Sequence, residues 1–149
     1  MQSSIKIQCT MKKSVFIIFL LFAMAIVTMS FVFAQDQKIG GPWNIPAEYK
    51  SKKNPHAGDA SLVRMARAAY GRHCRSCHGN TGLGDGPMAR NLGTFPGDFS
   101  KKEWQEKYND GEIYFMSFIG RDEMPNFESQ ITDEEERWAI VNYIRSFKK

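Results

Sequence analysis

The pentapeptide Cys74-Arg75-Ser76-Cys77-His78 constrains the fold of this chain more than any other segment. Its C-x-x-C-H spacing is the attachment pattern of c-type haem. Two thiols three positions apart can add to the two vinyl groups of one porphyrin, and the histidine that follows can then bind the iron from one side of the ring. We therefore predict that the chain folds around one covalent haem c, held by Cys74 and Cys77 and ligated by His78.

The first 34 residues predict an export signal. Lys12 and Lys13 form a positive start, the apolar run 15–27 follows, and Val32-Phe33-Ala34 supplies the positions that signal peptidase reads. Cleavage after Ala34 would release the domain into the periplasm. An uncleaved segment of about 20 apolar residues is long enough to span a bilayer, which would anchor the domain at the periplasmic face of the inner membrane. Membrane association through this N-terminal segment therefore stays open.

The net charge and the number of cysteines differ between the whole chain and the part that follows the predicted export signal. From residue 35 onward there are 17 Lys and Arg against 16 Asp and Glu, a net charge of +1. A nearly neutral domain gives no support to nucleic-acid binding. Cys9 lies upstream of the apolar run, so the exported part keeps only Cys74 and Cys77. An oxidising compartment could pair these two in a disulfide, whereas thioether bonds to haem also use both thiols and leave none over.

The exported part divides into two segments. Residues 35–58 are rich in proline and glycine and lack a helical or strand period, which predicts an extended arm. Trp43, Ile45 and Tyr49 are the expected anchors of this arm on the domain. Residues 59–149 form the predicted haem domain.

Within this domain the pattern is helical throughout. Asp59 is a suitable N-cap for a helix to Cys74, and its apolar face is expected to be Leu62, Met65, Ala66, Ala69 and Tyr70. Residues 80–100 hold many glycines and predict a loop close to a flat ligand, with a short helical turn near 88–91.

Further capping patterns predict the later helices. Ser100 to Glu103 and Thr132 to Glu135 each fit a capping box, opening helices to about Tyr108 and Phe147. Asp110 can cap a helix that ends at Gly120. Because no strand pattern appears, we predict an all-α fold.

The sixth iron ligand must come from outside the pentapeptide. The candidates are Met65, Met88, Met116, Met124, His56 and His73. Met65 and Met116 lie on apolar helix faces and are expected in the core, as most helical methionines are. Met124 lies in a loop and precedes Pro125, which stiffens the backbone there. We favour Met124 for this reason, while an open or water-bound site, Met88, His56 and His73 remain alternatives.

At these positions the sequence resembles the monohaem class I cytochromes c of bacteria, over about residues 62–147. The matching motifs are Cys74-x-x-Cys77-His78-Gly79, Gly82-x-Gly84-Asp85-Gly86-Pro87, Gly120-x-x-x-Met124-Pro125-x-Phe127 and Trp138-x-x-Val141-x-Tyr143-Ile144. The resemblance implies a small cytochrome c-like helical bundle around one covalently attached haem, whose N- and C-terminal helices cross. It also implies His78 and Met124 as axial ligands, and a hydrogen bond from His78 to the carbonyl of Pro87. The arm lies outside the family pattern.

These features lead us to expect a periplasmic electron-transfer protein that exchanges electrons with redox protein partners and is not an enzyme. The first alternative is a cytochrome c subunit or module bound permanently to a larger respiratory complex. The second is a catalytic or gas-sensing haem with an open sixth site. Zinc binding by Cys74, Cys77, His78 and His73 is disfavoured, since four ligands within six residues cannot surround one ion well. A thioredoxin-like role needs a βαβ context, which the pattern lacks.

Overall fold

The structure is a computed structural model, and it describes residues 40–149. The predicted export signal, 1–34, and the first residues of the arm lie outside this range. The helices of the described part are α1 (Ala47–Ser51), α2 (Ala60–His73), α3 (Arg75–His78), α4 (Lys102–Lys107), α5 (Asp110–Tyr114) and α6 (Glu134–Arg145). A 3-10 turn (Ala89–Asn91) and a π-helical segment (Phe115–Ile119) complete them. Between residues 40 and 149 no strand forms, and there are only isolated bridge residues, so the all-α prediction is confirmed.

Helices α2 and α6 form the most extensive helix pair among the described elements. On α2, Ala66 and Ala69 are completely buried, and their small side chains allow the two helices to approach closely. Trp138 is buried on the facing side of α6. Met65 was predicted to share the core face of α2, but 44% of it is exposed. Met65 precedes the buried Ala66 and lies at the edge of the buried face of α2, so the prediction that it belongs to the core was wrong.

Only some of the helices begin where the sequence analysis predicted. Asp59 caps α2 by accepting from the Ser61 amide, as predicted. Ser100 does not cap α4, because its amide and hydroxyl both donate to Asp98, and the helix begins two residues later at Lys102. The cap of α5 is Asn109 rather than the predicted Asp110, which is the first residue of the helix, and Asn109 forms a capping box with Glu112.

The last helix also starts one position away from the prediction. Asp133, rather than Thr132, caps α6 by accepting from the Glu135 amide. At α5 and α6 the residue that caps the helix is a neighbour of the predicted one with similar capping strength, and the backbone path decides between them. The predicted helix end at Gly120 is confirmed.

The described part of the arm packs on the domain through the anchors expected from the sequence. Ile45 is buried, and Trp43 and Tyr49 pack against the core. The ring centroids of Tyr49 and Phe115 are 4.9 Å apart. The arm also holds the five-residue helix α1, which the sequence did not predict, since so short a helix depends on tertiary packing. Gly111 of α5 leaves room for the carbonyls of Tyr49 and Lys52, which a Cβ atom would strike.

Polar contacts join the end of the arm to two helices. The amide of Asn54 donates to Asp110 of α5 and to Asn142 of α6, at 2.8 and 2.9 Å. Asn142 in turn donates to the carbonyl of His56 at 2.6 Å. These bonds satisfy polar atoms between the arm and the helical core.

No helix within 40–149 has the length and apolar character needed to cross a membrane.

Candidate cofactor site

The two motif cysteines lie on one helical turn directly after α2. The amides of Cys77 and His78 both donate to the carbonyl of Cys74, at 3.2 and 3.0 Å. Both cysteines are half-buried and neither is in a disulfide. Burial raises the pKa of Cys74 to about 12, so this thiol is protonated at neutral pH. The fold therefore presents two free thiols three positions apart on a rigid turn.

His78 is buried, with 8% of its surface exposed. Its Nδ1 atom is the one fully buried side-chain nitrogen or oxygen, among the described residues, that has no hydrogen-bond partner. Burial lowers the pKa of His78 to about 4, so the imidazole is neutral at physiological pH. A neutral imidazole is the form that binds a metal, and buried polar atoms without partners are rare enough to need an explanation.

The glycine-rich loop folds back onto the motif. Gly86 donates to the Cys77 carbonyl at 3.2 Å, and Met88 donates to the Ser76 carbonyl at 2.8 Å. Gly86 allows this approach, because a Cβ atom there would strike the backbone carbonyls of Arg75 and Ser76. Pro87 is thus held beside the motif between two hydrogen-bonded neighbours. The predicted bond from His78 to the Pro87 carbonyl is not formed in this structure, since Nδ1 of His78 has no hydrogen-bond partner.

An aromatic side chain that the sequence analysis did not identify lies against the imidazole. Phe99 stacks on His78, with ring centroids 4.6 Å apart and planes 26° apart. Phe99 contacts Trp104 on its other side, and its amide donates to the Gly82 carbonyl at 2.6 Å. Trp104 is half-buried and packs against the core. No spacing rule pointed to Phe99, since only the folding of the loop brings it to His78.

Met124 lies in a tight turn after the π-helical segment. Arg121 and Met124 exchange two backbone hydrogen bonds, at 2.8 and 2.7 Å. Asp122 takes a positive φ of 44° between them. Gly120 has a φ of +72°, and a Cβ atom there would strike the carbonyls of Met124 and Pro125. The side chain of Met124 is half-buried and packs against the core.

The other predicted ligand candidates have different surroundings. Met116 is buried in the core, as expected. Met88 is 48% exposed, and its sulfur lies 4.0 Å from the Asn91 amide nitrogen. His73 is half-buried against the ring of Phe127, with ring centroids 5.8 Å apart. His56 lies in the arm, where its backbone is hydrogen bonded to Asn54 and Asn142.

Comparison with known proteins decides the family. Residues 61–144, which are more than half of the chain, match the sequence model described as cytochrome c oxidase, cbb3-type, subunit III. The chain belongs to this cytochrome family. It is therefore a c-type cytochrome with covalently bound haem c, as the pentapeptide predicted.

One solved structure similar to this cytochrome is the KustC0563 c-type cytochrome, at 34% identity. The match covers 56% of this chain and 98% of that one, with a TM-score of 0.49. No curated protein matches the sequence.

The residues of this cytochrome fit the haem that the family implies. Two free thiols and a neutral, buried imidazole lie on one turn, and the imidazole has a nitrogen without a protein partner. No group of three or more His, Cys, Asp or Glu in residues 40–149 is arranged to hold a metal ion.

Two charged residues around Met124 were missed by the sequence analysis. The guanidinium of Arg121 donates to the carbonyls of Gly41 and Pro42 in the arm. The carboxylate of Glu123 accepts from the amides of Gly93 and Thr94 and from the Thr94 hydroxyl. These bonds lower the pKa of Glu123, with the Gly93 amide as the largest cause. Both residues stand in an ordinary polar loop, where sequence alone offers no signal for such long-range contacts.

Proposed function

We propose that this electron-transfer haem protein works in the periplasm with His78 and Met124 as the two axial ligands. The observation that carries the proposal is the C-x-x-C-H turn of a cytochrome family member, with a neutral and buried His78 beside two free thiols. Cys74 and Cys77 would hold the haem through thioether bonds. When bound, the haem supplies a one-electron couple at its iron.

Met124 is supported as the second axial residue by its surroundings. It is half-buried in a turn held by paired backbone bonds to Arg121. Met88 is exposed, and Met116 is packed in the core, so neither is equally well presented. A methionine opposite a histidine raises the reduction potential of the couple. With both axial positions taken by side chains, this chain would offer no iron position to a substrate, which agrees with a role other than catalysis.

The predicted export signal supports a periplasmic location, or the periplasmic face of the inner membrane if the segment is retained. In that compartment the partners would be other redox proteins, which meet electron carriers through small and short-lived interfaces. His78 and the thiols lie on a turn whose neighbours Arg75 and Ser76 are exposed. That exposure gives partners access to the motif side of the domain.

A second candidate function is a subunit or module of a larger respiratory complex. It is favoured by the family description, which names a subunit of an oxidase. The site residues and their chemistry would be the same, and only the permanence of the association differs. Gel filtration of the protein from its native membrane and periplasmic fractions, with haem absorbance as the tracer, separates a free carrier from a complex subunit.

The optical spectrum of the exported holoprotein, recorded with and without carbon monoxide, tests the ligation. We expect sharp low-spin bands in the reduced protein that carbon monoxide leaves unchanged. Met124→Ala should open the iron to carbon monoxide, whereas Met88→Ala, which removes an exposed methionine of the glycine loop, should not. A wild-type protein that binds carbon monoxide rapidly would contradict His78/Met124 ligation and favour the catalytic or gas-sensing alternative.

A further inference from the structure

Arg121 connects the arm directly to the turn that carries Met124. Its two terminal nitrogens donate to the Pro42 and Gly41 carbonyls, at 2.8 and 2.6 Å. Its guanidinium carbon lies 4.0 Å from the centroid of the Trp43 ring. The backbone of the same residue exchanges both hydrogen bonds with Met124. A single residue therefore holds the arm with its side chain and Met124 with its main chain.

The arm end that receives Arg121 is fixed to the core. Trp43 packs edge-on against Phe115, with ring centroids 6.5 Å apart. Ile45 follows it and is buried. The carbonyls of Gly41 and Pro42 are thus presented from a docked segment, and a planar guanidinium is well suited to bond two such acceptors while it stacks on an indole.

The turn itself has limited support from its own residues. Met124 is only half-buried, and Asp122 and Glu123 are exposed. Asp122 also takes a positive φ of 44°, a left-handed backbone conformation that is uncommon for residues other than glycine. Contacts from elsewhere in the fold must hold such a turn. Arg121 supplies one of these through the arm, which precedes the family match at residue 61.

We propose that Arg121 is a positioning residue for the axial methionine, and that the docked arm residues 41–43 act through it. This proposal rests on the proposed function, since it takes Met124 as an iron ligand. Bonds from the arm keep the Arg121–Met124 turn closed and so keep the thioether at the iron. If they are lost, the turn opens more often, the sixth position becomes accessible, and the reduction potential falls because methionine ligation is what raises it.

The test uses the full-length holoprotein in four forms: wild type, Arg121→Ala, Arg121→Lys and Trp43→Ala. The matched control is Arg64→Ala, which removes an exposed arginine of α2. The readouts are the rate of carbon monoxide binding to the reduced protein, the reduction potential, and the charge-transfer band of the methionine–iron(III) bond. Thermal unfolding by circular dichroism is recorded alongside.

We expect Arg121→Ala to bind carbon monoxide roughly tenfold faster than wild type, the factor expected when charge-assisted hydrogen bonds to a partly exposed group are removed. Its potential should fall, and the methionine band should weaken. Trp43→Ala should act in the same direction. Arg121→Lys keeps a positive charge over Trp43 but loses the planar guanidinium that donates to two carbonyls. Its rate of carbon monoxide binding should therefore lie between those of wild type and Arg121→Ala, and the variant should still fold.

Three results would overturn the proposal. The first is that the Arg121 and Trp43 variants bind carbon monoxide at the wild-type rate. The second is that Arg64→Ala has the same effect as Arg121→Ala. The third is that carbon monoxide binding rises only in proportion to global unfolding. Failure of the proposed function looks different, because Met124→Ala would then leave the wild-type spectrum and carbon monoxide binding unchanged.

Discussion

The His78 and Met124 sides of the site are held in opposite ways. On the His78 side, the hydrogen bonds of the motif turn join residues three or four positions apart, and the loop bonds join residues about ten apart. On the Met124 side, Arg121 bonds residues 79 and 80 positions away, and Glu123 bonds residues 29 and 30 positions away. The backbone of the first side is thus held by bonds within one stretch of chain, and Phe99 is added to it by packing. The Met124 turn depends on hydrogen bonds to more distant segments.

This difference implies different vulnerabilities. Local hydrogen bonds re-form easily after an opening, because little chain entropy is lost in closing a short loop. The long-range contacts of the Met124 turn are lost together whenever the arm or the glycine loop detaches. We therefore expect that most single substitutions around the site will loosen the Met124 turn and leave the covalent attachment of the haem intact.

The largest effect should come from removing the two thiols that lie on the His78 side of the site. In the double variant Cys74→Ala with Cys77→Ala, no thiol remains to form a thioether, so nearly all covalently bound haem should be lost. A haem stain of a denaturing gel measures this directly. Met124→Ala is the contrasting variant and should retain its haem in the same gel. Haem that stays attached to the double variant would show that the pentapeptide is not the attachment site.

The next effect tests the backbone of the Met124 turn. Gly120→Ala places a Cβ atom against the carbonyls of Met124 and Pro125 at a φ of +72°. Left-handed strain and overpacking together should lower the free energy of unfolding by about 2–4 kcal/mol, measured by urea denaturation. Carbon monoxide binding should rise as well. Gly71→Ala is the control, since its Cβ meets nothing within 4 Å and lies inside α2, so it should stabilise by up to about 1 kcal/mol. Equal effects of the two substitutions would contradict this reading of Gly120.

A smaller effect should follow from Glu123→Ala. The variant removes the acceptor for two amides and one hydroxyl of Gly93 and Thr94, and so loosens the Met124 turn from the glycine loop. Because these bonds are exposed to water, we expect a smaller rise in carbon monoxide binding than for Arg121→Ala. Covalent haem should be unchanged. If Glu123→Ala exceeded Arg121→Ala, the glycine loop rather than the arm would be the main support of the turn.

The smallest effect concerns the ion pair between the arm and α6. Lys52 and Glu134 lie 3.0 Å apart, and the Lys52 ammonium also lies 4.6 Å from the Tyr114 ring centroid. The hydrogen bond from Lys52 is the main cause that lowers the pKa of Glu134. For a lowered carboxyl pKa, the stabilisation is present above the ordinary value and is lost as the pH falls through the lowered one.

Glu134→Gln should therefore reduce stability near neutral pH by less than about 1 kcal/mol, as for other exposed pairs. The difference from wild type should shrink as the pH falls through the lowered pKa of Glu134. Thermal unfolding over a pH series, with Glu135→Gln as the neighbouring control, measures it. A difference that grows with acidity would show that the pair does not act as described.

Much of the fold was predictable because its signals are local. The Asp59 cap, the helical turn near residues 89–91, the stop at Gly120 and the all-α class each follow from residues close together in sequence. The caps predicted at Asp110 and Thr132 were wrong, because Asn109 and Asp133 cap those helices instead. Ser100 does not cap α4, because it bonds to Asp98. Met65 was placed in the core by periodicity alone, which does not show where two helices come closest.

For the site, the residue types alone were enough to predict covalent haem and the family, since the C-x-x-C-H turn requires only five consecutive residues and ordinary helical geometry. Met124 could be preferred from its loop and the proline after it. What the sequence could not show is how that loop is supported. The contacts of Phe99, Arg121 and Glu123 at the site join residues that are 20 to 80 positions apart in the sequence. Only the tertiary fold brings such groups together, because the residues next to each of them in sequence do not determine which distant segment it will contact.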